Sequence, residues 1–393
     1  MTTLPLEHLR TLAAEVGLSV VSVTSADDLH GAREHLEAWQ RDGLAAEMEY
    51  MKRPSDLLIS PRRLLPAARS IVTIAVFYER VPRLPLERGH GRVARYAWGR
   101  DYHKVLRRRL EQLVRVTERH VGRSVECRFF ADSVPLLERA LAQRSGLGFI
   151  GKNTMAIIPK EGSFFFLGEL LWDVEIEPQV GASSTAAHCG SCTRCLSNCP
   201  TGAFVNERVL DAGRCISYLT IEKRSALTYA EREWLGEWLF GCDICQEVCP
   251  FNVVPLKKRT HNHAPELARE QGVGPSISLE RVLRMRNDSE FTAFFQGTPL
   301  MRTKRVGLAR NAAIVAANTQ TDELFPLLLD VAQHDAAPLV RRHALWASGV
   351  IASRTGGGDV VRVKGILDKA GLDSDPGVRE ECDLIRTQLR NFA

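Results

Sequence analysis

Cys189-Gly190-Ser191-Cys192-Thr193-Arg194-Cys195-Leu196-Ser197-Asn198-Cys199-Pro200 sets four cysteines in the run C-x-x-C-x-x-C-x-x-x-C-P. A second stretch, Cys242-Asp243-Ile244-Cys245-Gln246-Glu247-Val248-Cys249-Pro250, repeats the end of that run without its first cysteine, and Cys215 between them can replace the missing ligand. This is the bacterial iron–sulfur spacing. Two [4Fe–4S] cubanes take four thiolates each. Three cysteines at two-residue gaps wrap one cubane, and the fourth opens a helix that points away toward the other. Crossing over in this way puts Cys189, Cys192, Cys195 and Cys249 on one cluster and Cys199, Cys215, Cys242 and Cys245 on the second. Zinc also uses C-x-x-C pairs, but it does not call for a four-cysteine run with a terminal proline. Cys127 and Cys382 read as buried small residues.

Around this module the chain has 393 residues, 45% hydrophobic and 25% charged, with a net charge of +5. That suits a globular protein of two or three domains. The charge permits a polyanionic partner without demanding one, because clustering matters more than the total. Met1–Val20 carries Glu7 and Glu15 and lacks the basic start, long apolar run and cleavage site of an export signal. The apolar run at Phe164–Phe166 is too short to span a bilayer and lies between Glu161 and Glu169. A cytoplasmic location is the default expectation, where ten cysteines read as ligands rather than disulfides. Nothing resembles a dimer seam, so a monomer is expected.

Three regions differ in character. Residues 1–178 mix helical and strand-like runs in an α/β pattern: Leu9–Val16, His103–His120 and Ser133–Ser145 have helical periodicity, and Ser70–Phe77 is a buried-strand run. Residues 179–258 hold the cysteine module, of ferredoxin-like type. Residues 259–393 are mainly helical. There Leu308–Ala317 aligns with Val340–Gly349, Arg310 on Arg342 and Ala312 on Ala344, and Val378–Arg386 follows Asp375-Pro376. Such spacing suggests HEAT-like stacking, although ordinary amphipathic helices give the same periodicity. Basic clusters at Arg107–Arg109, Lys257–Arg259, Arg302–Arg305 and Arg341–Arg342 read as solvated helix faces or as contacts for an RNA backbone. Gly146-x-Gly148-x-x-Gly151 spells a dinucleotide fingerprint, but it follows a helix instead of a strand and reads as a tight loop.

More specific stretches precede the cysteines. They are Tyr96-Ala97-Trp98-Gly99-Arg100-Asp101-Tyr102-His103, Ala131-Asp132-Ser133-Val134-Pro135-Leu136-Leu137-Glu138-Arg139, Ser145-Gly146-Leu147-Gly148-Phe149-Ile150-Gly151-Lys152-Asn153-Thr154 and Gly162-Ser163-Phe164-Phe165-Phe166-Leu167-Gly168-Glu169. With Arg214-Cys215-Ile216-Ser217-Tyr218-Leu219-Thr220, they resemble the epoxyqueuosine reductases over nearly the whole chain. The resemblance implies an enzyme that reduces epoxyqueuosine to queuosine at the wobble position of tRNA, with kinship to reductive dehalogenases. It implies an N-terminal cobalamin-binding domain beside the two [4Fe–4S] clusters, the anticodon stem-loop of tRNA as partner, and an external electron donor of unknown identity. It places the proton donor on Asp132 and cobalamin contacts near Lys152, Asn153, Thr154, Ser163, Ser217 and Asp243.

Taking the oxygen from an epoxide needs two electrons and an acid for the leaving oxygen. Asp132 would need burial beside Val134 and Phe130 to keep its proton. Its local sequence also suits a helix N-cap. Asp101-x-His103 lacks the glycine of a D-x-H-x-x-G cobalt-ligand pattern, since Leu106 stands there, so His103 is expected at a helix start and cobalamin without a histidine ligand. Two other functions fit the same cysteines: a reductive dehalogenase acting on a small organohalide, and a non-catalytic iron–sulfur electron carrier. Stoichiometric cobalt would separate an enzyme from a carrier.

Overall fold

A computed structural model describes residues 3–134, 136–177, 187–253 and 263–389. The basic cluster Lys257–Arg259 lies outside them. The chain forms two compact units: Met1–Arg83, Gly99–Gly213 and Asp243–Gly272 make the first, and Leu84–Trp98, Arg214–Cys242 and Val273–Ala393 the second. This differs from contiguous divisions at 178 and 258. The reason is sheet pairing, because His90–Val93 hydrogen-bonds to both Trp238–Phe240 and Ser276–Ser278 and draws distant chain segments into one unit.

In the first unit, four strands among the described residues pair antiparallel: β1 (Val20–Ser25), β2 (Ser70–Phe77), β3 (Cys127–Phe130) and, hairpin strands apart, Phe165–Trp172. The hairpin pairs β4 (Phe149–Ile150) with β5 (Ala156–Ile157), so the long strand is β6, and the sheet order is β1-β2-β6-β3. Every residue of β2 is buried, which explains its unbroken apolar run. Such a run does not disclose strand direction, and the α/β pattern proves to be helices on an antiparallel sheet. Helix α1 (Leu6–Glu15) and α2 (Tyr102–Val121) fall where helical periodicity places them. Asp101 caps α2 by accepting the His103 N–H, and left-handed Gly122 ends it. Leu58, Ile59, Ile71, Leu136, Leu141 and Leu171 close one core cluster.

The expected helix at Ser133–Ser145 is shorter. Helix α3 spans Glu138–Arg144, and Asp132, at φ +52°, stands well before it. Asp132 is therefore not its N-cap. Gly146, also left-handed, follows the helix end, and its N–H donates to the Gln143 carbonyl. A Cβ on Gly148 would meet the Ile157 carbonyl oxygen at 2.3 Å, and one on Gly151 would meet Ile157 Cδ1 at 2.6 Å. These glycines shape the β4–β5 hairpin, not a phosphate-binding turn.

The second unit is mainly helical. Its α4 (Ile216–Ile221) begins directly after Cys215. The long α5 (Lys304–Asn318) is buried along most of its length. Arg310 donates to the carbonyls of Leu219, Lys223 and Ser225, and Asn311 to those of Thr220 and Leu239. These bonds occupy the C-terminal carbonyls of α4 and so fix the helix that carries Cys215. Helices α6 (Phe325–His334), α7 (Pro338–Thr355), α8 (Gly357–Ala370) and α9 (Pro376–Gln388) follow, and α7 packs on α5, α6, α8 and α9. The recurring Asp and Pro mark helix starts: Asp375 accepts from Val378 N–H, and Pro338 and Pro376 open α7 and α9.

Glu381 anchors these helices. It accepts two bonds from Arg232, at 2.8 and 2.7 Å, one from Tyr229 at 2.8 Å and one from Arg342 at 3.2 Å, and is wholly buried. Burial pushes its carboxyl up, but Arg232, Tyr229 and Arg342 outweigh this and hold it below the ordinary glutamate value. Its stabilisation is present above that ordinary value and is lost as pH falls through the lower folded value. Glu381→Ala is expected to cost about 3–5 kcal/mol, with Arg232→Met added to Glu381→Leu recovering most of it. Denaturant unfolding followed by circular dichroism checks this.

Candidate active site

None of the ten cysteines is paired in a disulfide. In the first unit, Cys189 starts a turn closed by the Cys192 N–H, and the short helices Arg194–Ser197 and Ile244–Glu247 pack together. Cys189 and Cys249 lie against Phe149, Ile157 and Phe251, so one group of thiols has an apolar shell. The Cys195 thiol is pushed up to about 11 by burial and by Cys189 and Cys249. Burial raises Cys249 as well, and Cys189 and Cys192 add to it against the Phe251 and Asn252 amides. Cys189, Cys192, Cys195 and Cys249 thus converge. Ionisation of Cys195 and Cys249 is resisted until a cationic group takes the charge, which suits a metal centre rather than loose thiols. Among the described residues no three His, Cys, Asp or Glu side chains are set to hold a single ion. A cubane does not require this, because each iron takes its own thiolate.

Backbone amides also reach sulfur. Lys152 N–H donates to Cys189 Sγ at 3.4 Å and Ala203 N–H to Cys199 Sγ at 3.4 Å. Cys199 and Cys245 belong to the first unit, Cys215 and Cys242 to the second.

The polar residues singled out in the sequence stand mainly around this module. Lys152 is buried and its Nζ pairs with Glu207 at 2.6 Å. Asn153 Nδ2 donates to the Cys245 carbonyl at 3.3 Å. Thr154, at φ +65°, sits in the β4–β5 turn, where its carbonyl accepts from Arg139. Ser163 N–H donates to Asn252 Oδ1 at 2.8 Å, and its hydroxyl to Gln246 Oε1 at 2.9 Å. Gly162 is required here, at φ +90°, because a Cβ would stand 2.1 Å from Asn252 Oδ1. Buried Asp243 accepts at its carbonyl from Gln246 and Glu247, starting the second short helix. Ser217 lies on α4 in the second unit.

Asp132 departs from expectation. Phe130 and Val134 pack on the core, while Asp132 itself is exposed. Tyr102 hydroxyl donates to its Oδ2 at 2.8 Å, and its own N–H donates to Glu138 Oε1 at 2.6 Å. The Tyr102 ring stacks on Phe166 at 4.0 Å and on His103 at 4.0 Å. His103 Nδ1 bonds Asp101 at 2.8 Å. Burial opposes its charge, but Asp101, Asp132 and Glu138 together raise its value. Sequence reasoning did not single out Tyr102 or Glu138 individually. The signal available for Tyr102 was its position directly after the helix-capping Asp101.

The basic clusters are largely engaged. Arg107 pairs with Glu111, Arg109 with Glu266, Arg302 with Glu222, Arg305 with Asp335, Arg341 with Asp373 and Arg342 with Glu380. Arg305 is buried in its pair and acts in packing. Arg107 and Arg302 remain more than half exposed in weak surface pairs that a phosphate can displace.

Two family models match the chain. One, described as epoxyqueuosine reductase QueG, covers residues 59–133, and the other, a 4Fe-4S double cluster binding domain, covers residues 188–252. An epoxyqueuosine reductase of Xanthomonas campestris pv. campestris is 36% identical, over 86% of this chain and 94% of its own. A crystal structure of epoxyqueuosine reductase with a tRNA-Tyr epoxyqueuosine-modified stem loop superposes with a TM-score of 0.86 at 29% identity, covering 98% of both chains. The Bacillus subtilis epoxyqueuosine reductase, in a structure with its catalytic aspartate loop swung out of the active site, gives a TM-score of 0.82 at 30% identity over 96% of this chain and 97% of that one. With its double-cluster cysteine domain and its match along nearly the full length of these relatives, the chain belongs to the epoxyqueuosine reductase family and is an oxidoreductase.

Proposed function

We propose that this chain reduces epoxyqueuosine in tRNA to queuosine, with Asp132 as the acid that protonates the departing oxygen and with electrons entering through two [4Fe–4S] clusters. The observation that carries the reading is the placement of Asp132: exposed, in a left-handed backbone conformation, with its carboxylate held by Tyr102. In the Bacillus subtilis relative a catalytic aspartate loop is swung out of the active site, and Asp132 stands in the loop after β3.

The ligand sets are Cys189, Cys192, Cys195 and Cys249 for one cluster and Cys199, Cys215, Cys242 and Cys245 for the other. Cobalamin would rest against Lys152, Asn153, Thr154, Ser163, Ser217 and Asp243. When bound it supplies a strongly reducing, nucleophilic metal centre. The chain's own residues do the rest. Lys152 and Asn153 join the hairpin to the cysteine module through Cys189 and Cys245. Tyr102 aims the Asp132 carboxyl. Substrate covering Asp132 would strip water from it and favour its protonated form. The other relative was solved with a tRNA stem loop. A splayed wobble base is the form in which a modified nucleotide could reach a protein pocket. The region 259–393 would cradle the stem as HEAT-like stacked helices.

Anaerobic protein reconstituted with iron, sulfide and cobalamin, given a strong reductant and tRNA bearing epoxyqueuosine, is expected to yield queuosine by nucleoside mass analysis. Asp132→Asn should lower kcat by about 10²–10⁴-fold, the usual contribution of a positioned general acid. Wild-type turnover by that variant would sink the assignment. Tyr102→Phe keeps the ring stack and removes the hydroxyl. It is expected to lower kcat by roughly 10-fold, a hydrogen bond's worth, with KM for tRNA unchanged.

A further inference from the structure

Glu169 is wholly buried in the middle of β6, and neither carboxyl oxygen has a hydrogen-bond donor among the described residues. Its neighbours across the sheet are Thr73 on β2 and Phe130 on β3. The Thr73 hydroxyl also lacks a partner among the described residues. Helix α3 packs on β6, and the polar group it brings toward Glu169 is another carboxyl, Glu138 at its start. Two carboxylates can bond only if one keeps its proton. Glu138 in turn accepts the Asp132 N–H and is only partly buried, so the pair has one end in the core and one end beside the acid.

We propose that Glu138 and Glu169 hold a shared proton behind Asp132 and reload Asp132 within the turnover. This rests on the reading of Asp132 as the acid. Converting an epoxide to an alkene and water consumes two electrons and two protons. Two C–O bonds break, the C=C bond forms, and the oxygen leaves as water. The electrons come from an external one-electron reductant through the clusters. Asp132 carries one proton, so it donates once, is reloaded from the pair, and donates again. The pair then refills from solvent through Glu138.

The charge environment agrees. Burial, then Asp132, pushes the Glu138 carboxyl up to about 7. Burial, then Glu138 and Asp132, raises Glu169 well above the ordinary glutamate value. The other charged or titratable groups facing the pair are Arg139 from α3, whose attraction to Asp132 and Glu138 opposes its own burial, and His103 and Tyr102 from α2. For Glu138 the proton is present below about 7 and is lost as pH rises through that folded value.

The test uses reconstituted holoenzyme with epoxyqueuosine-bearing tRNA, plus infrared spectroscopy of the protein alone. Wild type is expected to show a neutral carboxylic-acid carbonyl band at pH 7 that is missing from Glu169→Gln. Glu169→Gln, which keeps shape and a donor but cannot pass a proton, should lower kcat by about 10-fold or more. KM for tRNA should not change, and the variant should lose the wild-type fall in kcat above pH 7. Glu138→Gln should do the same, and it carries the kinetic test if Glu169→Gln does not fold. A missing wild-type band, or variants with wild-type kcat and pH profile, would overturn the relay. Asp132→Asn separates the two readings. If it is inactive while the Gln variants match wild type, only the relay fails. If it is fully active, the reading of Asp132 fails first.

Discussion

Negative charge without water is the constraint around which the first unit is arranged. Cys189 and Cys249 lie in an apolar shell, and burial with neighbouring thiols makes Cys195 and Cys249 harder to ionise. A cluster that supplies iron turns this repulsion into ligation, and the surrounding backbone is already turned toward sulfur at Lys152 and Ala203. The hairpin, the tight Gly162–Asn252 approach and the two short helices follow from holding those sulfurs in place.

The same constraint recurs in carboxyl form. Asp132, Glu138 and Glu169 run from the surface to the sheet, with Arg139 as a cation that interacts with Asp132 and Glu138. Arg139 spends its guanidinium on the Thr154 carbonyl at the hairpin turn. That contact links the acid loop to the segment whose next-door residues touch Cys189 and Cys245.

Much of this was legible in the sequence, and the limits have physical causes. Ser70–Phe77 reads as a buried strand because both its faces are covered, and the basic amphipathic run His103–His120 reads as α2 because one stripe of it is apolar. The cysteine spacing names its chemistry outright. By contrast, helical letters at Ser133, Val134, Leu136 and Leu137 are overridden by the left-handed turn at Asp132 and the bond from its N–H to Glu138. Unit boundaries were hidden because strand pairing between His90–Val93, Trp238–Phe240 and Ser276–Ser278 is non-local. Arginine clusters in the letters look like free charge, yet their carboxylate partners lie far along the chain, as with Arg302 and Glu222 or Arg341 and Asp373.

Glu169 marks the boundary between what letters and coordinates disclose. In the sequence it is one polar residue inside Phe164–Trp172, where an isolated glutamate on a strand usually reads as the solvent face. In the fold β6 is an inner strand of the sheet, and the side chain has no solvent face to use. An unpaired carboxylate in that position would cost several kcal/mol, and a hydrophobic residue of similar size would remove the cost. Neither an arginine nor a hydroxyl donor has been placed against it among the described residues. What stands against it is a second carboxyl that touches the acid loop. A stability argument would leave a leucine at this position. A proton kept within reach of Asp132 gives a reason for the glutamate.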